Sequence, residues 1–198
     1  MLNIMLINIA LRPESRVKLF PIGIGYIATA MKNADFQFDL IDIDAHRYSD
    51  TEVDAFIRRK KYDVVAMGCI VTGYAKVKDL CRRVREIHPN ACIVVGNSVA
   101  TSIYETLLTK TEADVAVMGE GDITIVELLR AIDKGHDLST VRGICYKHRG
   151  GIRNSQSSEI LRSRRSKTSR LCRTSISRFS TRKFTSKMQK NRFLKTQP

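Results

Sequence analysis

Glycine-containing turns are the residues of this chain whose type and spacing best suit a binding chemistry. In the stretch 113–130, ADVAVMGEGDITIVELLR, an apolar run predicts a buried strand, Gly119-Glu120-Gly121 a tight turn, and the remainder a helix. Glycine lets a ligand approach the backbone closely, and the start of a helix offers N–H groups without intrahelical partners. The stretch therefore predicts a ligand-binding turn, with Asp122 as the N-cap of the helix that follows.

Side chains suited to covalent or acid–base chemistry are sparse. The chain has five cysteines and four histidines, and their spacing supports neither a Ser–His–Asp nor a Cys–His arrangement. The odd number of cysteines and the lack of a CxxC pair favour reduced thiols and a cytoplasmic location over a disulfide framework. Glu120 and Asp122 are better explained as turn and N-cap residues than as paired catalytic carboxylates. We predict no catalytic and no metal-ligating residue.

Alternating apolar strands and amphipathic helices must position the turns. Predicted strands cover residues 2–10, 36–41, 62–67, 91–95 and 113–118, and a helix follows each of them. Five such β–α units predict an α/β, Rossmann-like (flavodoxin-like) fold, whose five-stranded parallel sheet has the order 2-1-3-4-5 with helices on both faces. A hairpin is predicted after the last unit, with HRGG as its turn between residues 141–146 and Ile152.

Four of the turns follow strands 1, 3, 4 and 5 and therefore meet at one edge of the predicted sheet. They hold Pro21 to Gly25, Cys69 to Gly73, Gly96 to Ser98, and Gly119 to Gly121. Sheets of this kind bind ligands at the carboxyl ends of their strands, beside the strand 1/3 switch point. The turns predict a groove lined by accessible backbone that suits a flat or extended ligand. A nucleotide, a flavin and a corrin all fit this description.

Charge divides the chain into two parts. The net charge is +14, yet residues 1–150 hold 20 Lys and Arg against 19 Asp and Glu, whereas residues 151–198 hold 14 against Glu159 alone. The second part is rich in Ser and Thr, and its apolar residues are isolated, so it cannot bury enough surface to fold. We expect a folded domain over 1–152 and a disordered basic tail over 153–198. The apolar N-terminus, about ten residues long, is too short to span a membrane.

Sequence blocks in the first part resemble a known family. FPIGIGYIATAM at the first turn, GEGDITIVELL at the last turn, and VRGICYKHRGGI after it occur in this order. Their sequence and spacing resemble the cobalamin-binding domain at the front of B12-dependent radical SAM proteins. The resemblance covers about residues 1–152. It implies a Rossmann-like domain that grips the corrin face and the dimethylbenzimidazole tail of cobalamin.

The resemblance also implies a role for each turn. The first turn would lie under or beside the corrin, the second would line the tail pocket, the third would border the tail, and the fourth would close the far side. The residues concerned are Pro21, Ile22, Gly23, Gly25 and Tyr26; Cys69 and Thr72; Gly96, Asn97 and Ser98; and Gly119, Glu120, Gly121 and Thr124. Members of the family usually carry two glycines in the third of these turns, whereas here Asn97 follows Gly96.

The sequence contains neither the usual motif for a histidine ligand to cobalt nor the motif for radical chemistry. In mutases and methionine synthases a DxHxxG motif after strand 1 supplies a histidine to cobalt. Here Asp44-Ala45-His46 follows strand 2 and Ser49 replaces the glycine, so we expect His46 to be a solvated loop residue. The resembled family also holds a 4Fe–4S cluster on CxxxCxxC. That motif is absent from the sequence, and we expect no iron–sulfur cluster in this chain.

The predicted function is cobalamin binding without catalysis, by the front domain of a radical SAM protein, with a separate radical SAM subunit as a candidate partner. Because the match ends near Ile152, one hypothesis is that a frameshift or early stop produced the tail. Two alternatives stay open. One is a cobalamin-free regulatory or interaction domain of the same fold. The other is a tail that binds nucleic acid through Lys and Arg, with Phe179, Phe184 and Phe193 stacking on bases.

Overall fold

The computed structural model describes residues 1–11, 14 and 21–155 of the 198-residue chain. The basic tail predicted from residue 153 onward lies outside the described residues, apart from its first three positions. Most of the loop between the first strand and Pro21 also lies outside them.

Strands and helices alternate along the described residues. The strands are β1 (Ile4–Asn8), β2 (Phe38–Asp42), β3 (Val64–Gly68), β4 (Cys92–Gly96), β5 (Val115–Val117), β6 (Ile144–His148) and β7 (Gly151–Ser155). The α-helices are α1 (Ile22–Asn33), α2 (Ile43–His46), α3 (Asp50–Arg58), α4 (Tyr74–Ile87), α5 (Asn97–Lys110) and α6 (Gly121–Lys134). Within these described ranges, no helix is both long enough and apolar enough to cross a bilayer.

All seven strands form one sheet in the order β2-β1-β3-β4-β5-β6-β7. Strands β1 to β5 are parallel, which confirms the predicted fold class and the order 2-1-3-4-5. The sheet is larger than the predicted five strands, because the hairpin of β6 and β7 joins it. Strand β6 pairs antiparallel with β5, so that Cys145 lies opposite Ala116. Turn residues in the sequence predict the hairpin itself. They do not predict its pairing with β5, which lies earlier in the chain.

The strands are apolar on both faces because helices cover both faces of the sheet. On β1, Met5 and Ile7 belong to a buried cluster with residues of α3, α4 and α5, such as Ile57 and Val77. The alternating residues Ile4 and Leu6 point to the opposite face and are also buried. The remaining long helices, α1 and α6, pack against each other. The resulting three-layer core holds the carboxyl ends of the strands in fixed register.

Helix α6 begins earlier than predicted. Its N-cap is Glu120, with extended backbone and no side-chain capping bond, whereas Asp122 lies in the first turn. The prediction of Asp122 as N-cap is therefore wrong. The reason is that Gly119 adopts a left-handed backbone with φ of 68°, which reverses the chain early enough for Gly121 to be helical. Asp122 still favours the helix, because an acidic residue in the first turn interacts favourably with the positive end of the helix dipole.

Strand β7 extends to Ser155, three residues beyond the domain end predicted at 152. Ser155 is buried, and its hydroxyl donates to the carbonyl of Ile144 at 3.0 Å. The N–H of Ile144 donates back to the same hydroxyl at 3.3 Å. Residues 153–155 therefore belong to the hairpin, and the pairing of β6 depends on them.

Candidate functional site

The carboxyl edge of the parallel strands ends in a row of small and polar residues. The strand register places Asp42, Asn8, Gly68 and Gly96 side by side as the last residues of β2, β1, β3 and β4. Gly68 and Gly96 are half-buried and have no side chains, so the two central strands end in bare backbone in the middle of the row. A side chain at Gly68 would meet the turn after β4, because its Cβ would lie 3.7 Å from Cβ of Asn97.

Asn8 and Asp42 close the row on its β2 side. Asn8 is 4% exposed, and its Nδ2 donates to Oδ1 of Asp42 at 2.8 Å. The N–H of Ala45 donates to the same carboxylate oxygen at 2.9 Å, which caps α2. These bonds satisfy a buried amide at the end of an apolar strand and fix the position of α2. The sequence-based prediction missed this pair, although an Asn within the apolar run MLINIAL is a visible signal.

The first predicted turn is open to solvent. Pro21 is the N-cap of α1, and Ile22 is 74% exposed. Among the described residues, no atom would lie within 4 Å of a Cβ at Gly23. Gly25 and Tyr26 are half-buried, and the N–H of Gly25 donates to the carbonyl of Pro21 at 3.3 Å. This turn therefore offers free space above the first turn of α1.

The second predicted turn divides into an exposed and a buried part. Thr72 is exposed in the short 3-10 helix Val71–Gly73. Cys69 is 1% exposed and belongs to the core, and burial raises the pKa of its thiol. Gly73 lies directly against it, because a Cβ on Gly73 would overlap Sγ of Cys69 and lie 2.6 Å from Cδ2 of Leu11. The structure thus places Thr72 at the surface and Cys69 beneath it.

In the third turn, Asn97 stands where members of the resembled family usually carry a second glycine. Asn97 is exposed and has φ of 71°, the left-handed conformation that Gly and Asn adopt more readily than other residues. Its Oδ1 accepts a hydrogen bond from the N–H of Ser98 at 2.6 Å. Asn97 therefore keeps the backbone path that glycine permits, while Gly96 and Ser98 on either side are half-buried.

The fourth turn packs against α1. Gly119 and Glu120 are exposed, whereas Thr124 is only 1% exposed. A Cβ at Gly121 would lie 3.1 Å from Cδ1 of Ile27 and 3.4 Å from Cγ1 of Val117. The first and fourth turns are therefore brought together by the close contact between the beginnings of α1 and α6.

Large apolar side chains are exposed at the same edge. Ile22 is 74% exposed, while Leu11, Ile70 and Val71 are between 37% and 41% exposed. All four follow β1 or β3, and among the described residues the only other exposed large apolar side chain is Met1. Exposed apolar side chains that gather at one edge of a sheet are a candidate for ligand contact. Leu11, Ile70 and Val71 were not predicted as site residues, although Ile70-Val71 within the turn CIVTG was a signal.

The described residues provide no evident metal centre. No group of three or more His, Cys, Asp or Glu side chains suited to a metal ion occurs within the described ranges. His46 is the last residue of the short helix α2 and stacks on Tyr48, with ring centroids 5.0 Å apart. It is exposed, as predicted, although in a helix rather than a loop.

The family model of the B12 binding domain matches residues 10–129, a span that contains all four turns. The chain belongs to the B12-binding domain family. It therefore carries a cofactor-binding module, and this confirms the resemblance on which the prediction rested.

Curated relatives are much longer than this chain. It is 25% identical over 135 residues to the uncharacterized methyltransferase PH0819 of Pyrococcus horikoshii, covering 68% of this chain and 29% of the relative. It is 28% identical over 132 residues to the anaerobic magnesium-protoporphyrin IX monomethyl ester cyclase of Rubrivivax gelatinosus, covering 64% of this chain and 24% of the relative. The chain thus spans less than a third of the length of these relatives.

Solved structures share the fold at low sequence identity. The radical S-adenosylmethionine methyltransferase TsrM from Kitasatospora setae, with cobalamin and a [4Fe-4S] cluster bound, aligns with a TM-score of 0.66 and 17% identity, covering 77% of this chain and 30% of TsrM. The cobalamin-dependent S-adenosylmethionine radical enzyme OxsB, with aqua-cobalamin bound, aligns with a TM-score of 0.66 and 16% identity, covering 80% of this chain and 23% of OxsB. At these identities the alignments show a shared fold.

Proposed function

We propose that this domain binds cobalamin over the carboxyl edge of β1, β3, β4 and β5. The observation that carries the proposal is the adjacent glycines, Gly68 and Gly96, at the carboxyl ends of the two central strands. Exposed Ile22, Ile70 and Val71 lie in the turns of the same edge. The B12-binding family match spans these residues and supports the assignment.

The residues at this edge fit the chemistry of cobalamin. A corrin is a broad flat ring with amide side chains, so it needs apolar contacts for its face and hydrogen-bonding groups at its rim. The exposed apolar residues supply the first need. The backbone of the open turns, together with the hydroxyl of Thr72, supplies the second. The described residues leave room at Gly23 and Gly119, since a Cβ at either position would contact none of their atoms within 4 Å.

The site residues divide by exposure into two roles. Ile22, Gly23, Thr72, Asn97 and Gly119 are exposed and would contact the cofactor directly. The buried residues, Cys69 and Thr124, would support the turns from beneath. The remaining predicted contacts, all at the same edge, are Pro21, Gly25, Tyr26, Gly96, Ser98, Glu120 and Gly121.

The chain itself would bind and orient the cofactor without catalysing a reaction alone. Bound cobalamin carries the reactive centre, and the protein supplies binding, orientation and electrostatics. The sequence has no CxxxCxxC motif, which supports a module without an iron–sulfur cluster. A radical SAM barrel would supply the catalysis, with a separate subunit as a candidate partner, and the relatives' names support a methyltransferase or cyclase as the class of reaction.

Cobalamin retention tests this proposal directly. Purified full-length protein is titrated with hydroxocobalamin, desalted, and examined by visible absorbance, and we expect about one equivalent to be retained. Gly23→Trp should abolish retention without unfolding the protein, because its side chain would extend into open space at the start of α1. Lys61→Trp places the same bulk on an exposed residue before β3, at the opposite edge, and should bind normally.

Two results would overturn the proposal. One is failure of folded wild-type protein to retain cobalamin, which would favour a cobalamin-free interaction domain. The other is equal retention by Gly23→Trp and wild type, which would mean that the cofactor does not lie over the first turn.

A further inference from the structure

One threonine hydroxyl joins the third and fourth turns. Oγ1 of Thr101, near the start of α5, accepts a hydrogen bond from the N–H of Gly119 at 3.0 Å. The same hydroxyl donates to the carbonyl of Asn97 at 3.2 Å. A hydroxyl has one proton to donate and two lone pairs, so it makes both bonds at once. Thr101 therefore links the two turns at their left-handed residues, Asn97 and Gly119.

The backbone around Thr101 shows which part of the helix the link holds. Helix α5 is interrupted at Ile103, whose φ of −137° and ψ of 36° are not helical. Residues 98–102 thus form a short helical segment between the left-handed Asn97 and the kink. Buried Val99, whose N–H donates to the carbonyl of Cys69 at 3.1 Å, holds one side of this segment on the core. The hydrogen bond between Thr101 and Gly119 ties it to the turn after β5.

The hydrogen bond between Thr101 and Gly119 fixes the relative position of the two turns more than it stabilises the fold. Thr101, Asn97 and Gly119 are all exposed, so water can satisfy the same polar groups when the hydroxyl is removed. The fold would lose little free energy, but the two turns would lose their fixed separation.

We propose that Thr101 is a positioning residue for cobalamin, whose hydroxyl holds the third and fourth turns at the separation that the nucleotide tail requires. This rests on the proposed function, and on the family resemblance, which implies that the third turn borders the tail and the fourth closes the far side. When the hydrogen bond to Gly119 is absent, the ligand must order both turns as it binds, and the ordering cost weakens affinity.

Helix α5 offers a matched control. Thr109 is also exposed, and its Oγ1 donates to the carbonyl of Glu105, four residues earlier, at 2.7 Å. This matches the bond from Thr101 to Asn97 but makes no link to the turn after β5. Thr101→Val and Thr109→Val therefore remove the same groups from the same helix, and they differ in the bond to Gly119.

Equilibrium binding of hydroxocobalamin and amide hydrogen exchange test the positioning role. We expect Thr101→Val to weaken binding about threefold to tenfold, as the loss of one hydrogen bond would do, while Thr101→Ser and Thr109→Val bind like wild type. Exchange of the Gly119 amide, measured without cobalamin, should accelerate in Thr101→Val alone. All variants should unfold at nearly the same temperature.

The outcomes separate this proposal from the one it rests on. If wild type binds cobalamin and Thr101→Val binds equally well, the positioning role is overturned while cobalamin binding stands. Equal loss in Thr101→Ser and Thr101→Val would overturn it too, because Ser keeps the hydroxyl. If wild type does not bind cobalamin, the proposed function itself fails, and unchanged Gly119 exchange in Thr101→Val would independently contradict the link between the turns.

Discussion

Gly73 shows how a single residue shapes the second turn by the space it leaves. The position of its missing Cβ is taken by Sγ of the buried Cys69, and Cδ2 of Leu11 lies 2.6 Å from that position. The turn can therefore lie close above the core only with glycine at 73. The constraint brings Thr72 to the surface directly after the buried thiol.

Substitution of Gly73 by Ala should lower the free energy of unfolding by about 1–3 kcal/mol, because overpacking displaces buried atoms. Urea unfolding of the variant measures the loss. The double variant with Cys69→Ala should lose less free energy of unfolding than the sum of the two single variants, because the smaller side chain removes the overlap with Sγ.

Gly23→Ala is the control for this prediction. Its Cβ meets nothing, and helix propensity predicts no loss of stability. Strict additivity of the two variants would contradict this account of the turn.

Helices α3 and α4 are joined by a partly buried ion pair. Arg83 is 8% exposed, and it donates from Nε to Oδ1 of Asp54 at 2.8 Å and from Nη1 to Oδ1 of Asp50 at 2.7 Å. Both acceptors lie on α3, at its beginning and middle. A planar guanidinium can satisfy both carboxylates, whereas the ammonium of lysine cannot reproduce that geometry. The pairing therefore sets how the two helices pack on the sheet.

Arg83→Met should destabilise the protein by about 1.5–3 kcal/mol, the range for hydrogen bonds to charged groups. Arg82 is the neighbouring control, because it is exposed and pairs with Asp79 and Glu86 on its own helix. Arg82→Met should cost much less, because exposed ion pairs contribute little to stability. Chemical denaturation of both variants tests the difference. Equal losses would show that the bonds from Arg83 to α3 add nothing beyond a surface pair.

At the scale of the whole molecule, we expect buried cysteines to lower the free energy of unfolding at alkaline pH. Burial raises the pKa of Cys81 on α4 to about 12 and that of Cys145 on β6 to about 11, from an ordinary value of 9.0. Both thiols are 0% exposed. The folded state keeps them protonated at pH values where the unfolded chain releases their protons. The unfolded state then binds fewer protons, so stability falls as pH rises above about 9.

Urea unfolding in the presence of a reductant should show stability declining between about pH 9 and 11. Each buried thiol would contribute a slope of about 1.4 kcal/mol per pH unit within that window. Cys81→Ala should be less stable at pH 8 but should have a shallower slope above pH 9, since one of the titrating groups is gone. Identical slopes in the variant and the wild type would show that Cys81 does not contribute.

Local patterns in the sequence predicted the strand and helix alternation, the parallel strand order and the position of all four turns. They could do so because burial on one or both faces leaves a periodic mark on neighbouring residues. The family resemblance added the cofactor, which the turns alone could not distinguish from a nucleotide or a flavin. The open space at Gly23 and the left-handed Asn97 are consistent with those local predictions.

Only the tertiary structure decided which parts of the turns face outward. Cys69 and Thr72 are three residues apart, yet one lies in the core and the other at the surface, because Gly73 allows the turn to fold down on the thiol. The bond between Thr101 and Gly119 spans 18 residues, and the pairing of β6 with β5 spans more. The amino-acid sequence alone determined the elements and their order, since these depend on neighbours along the chain. The contacts that shape the site depend on residues that meet only after the sheet has formed.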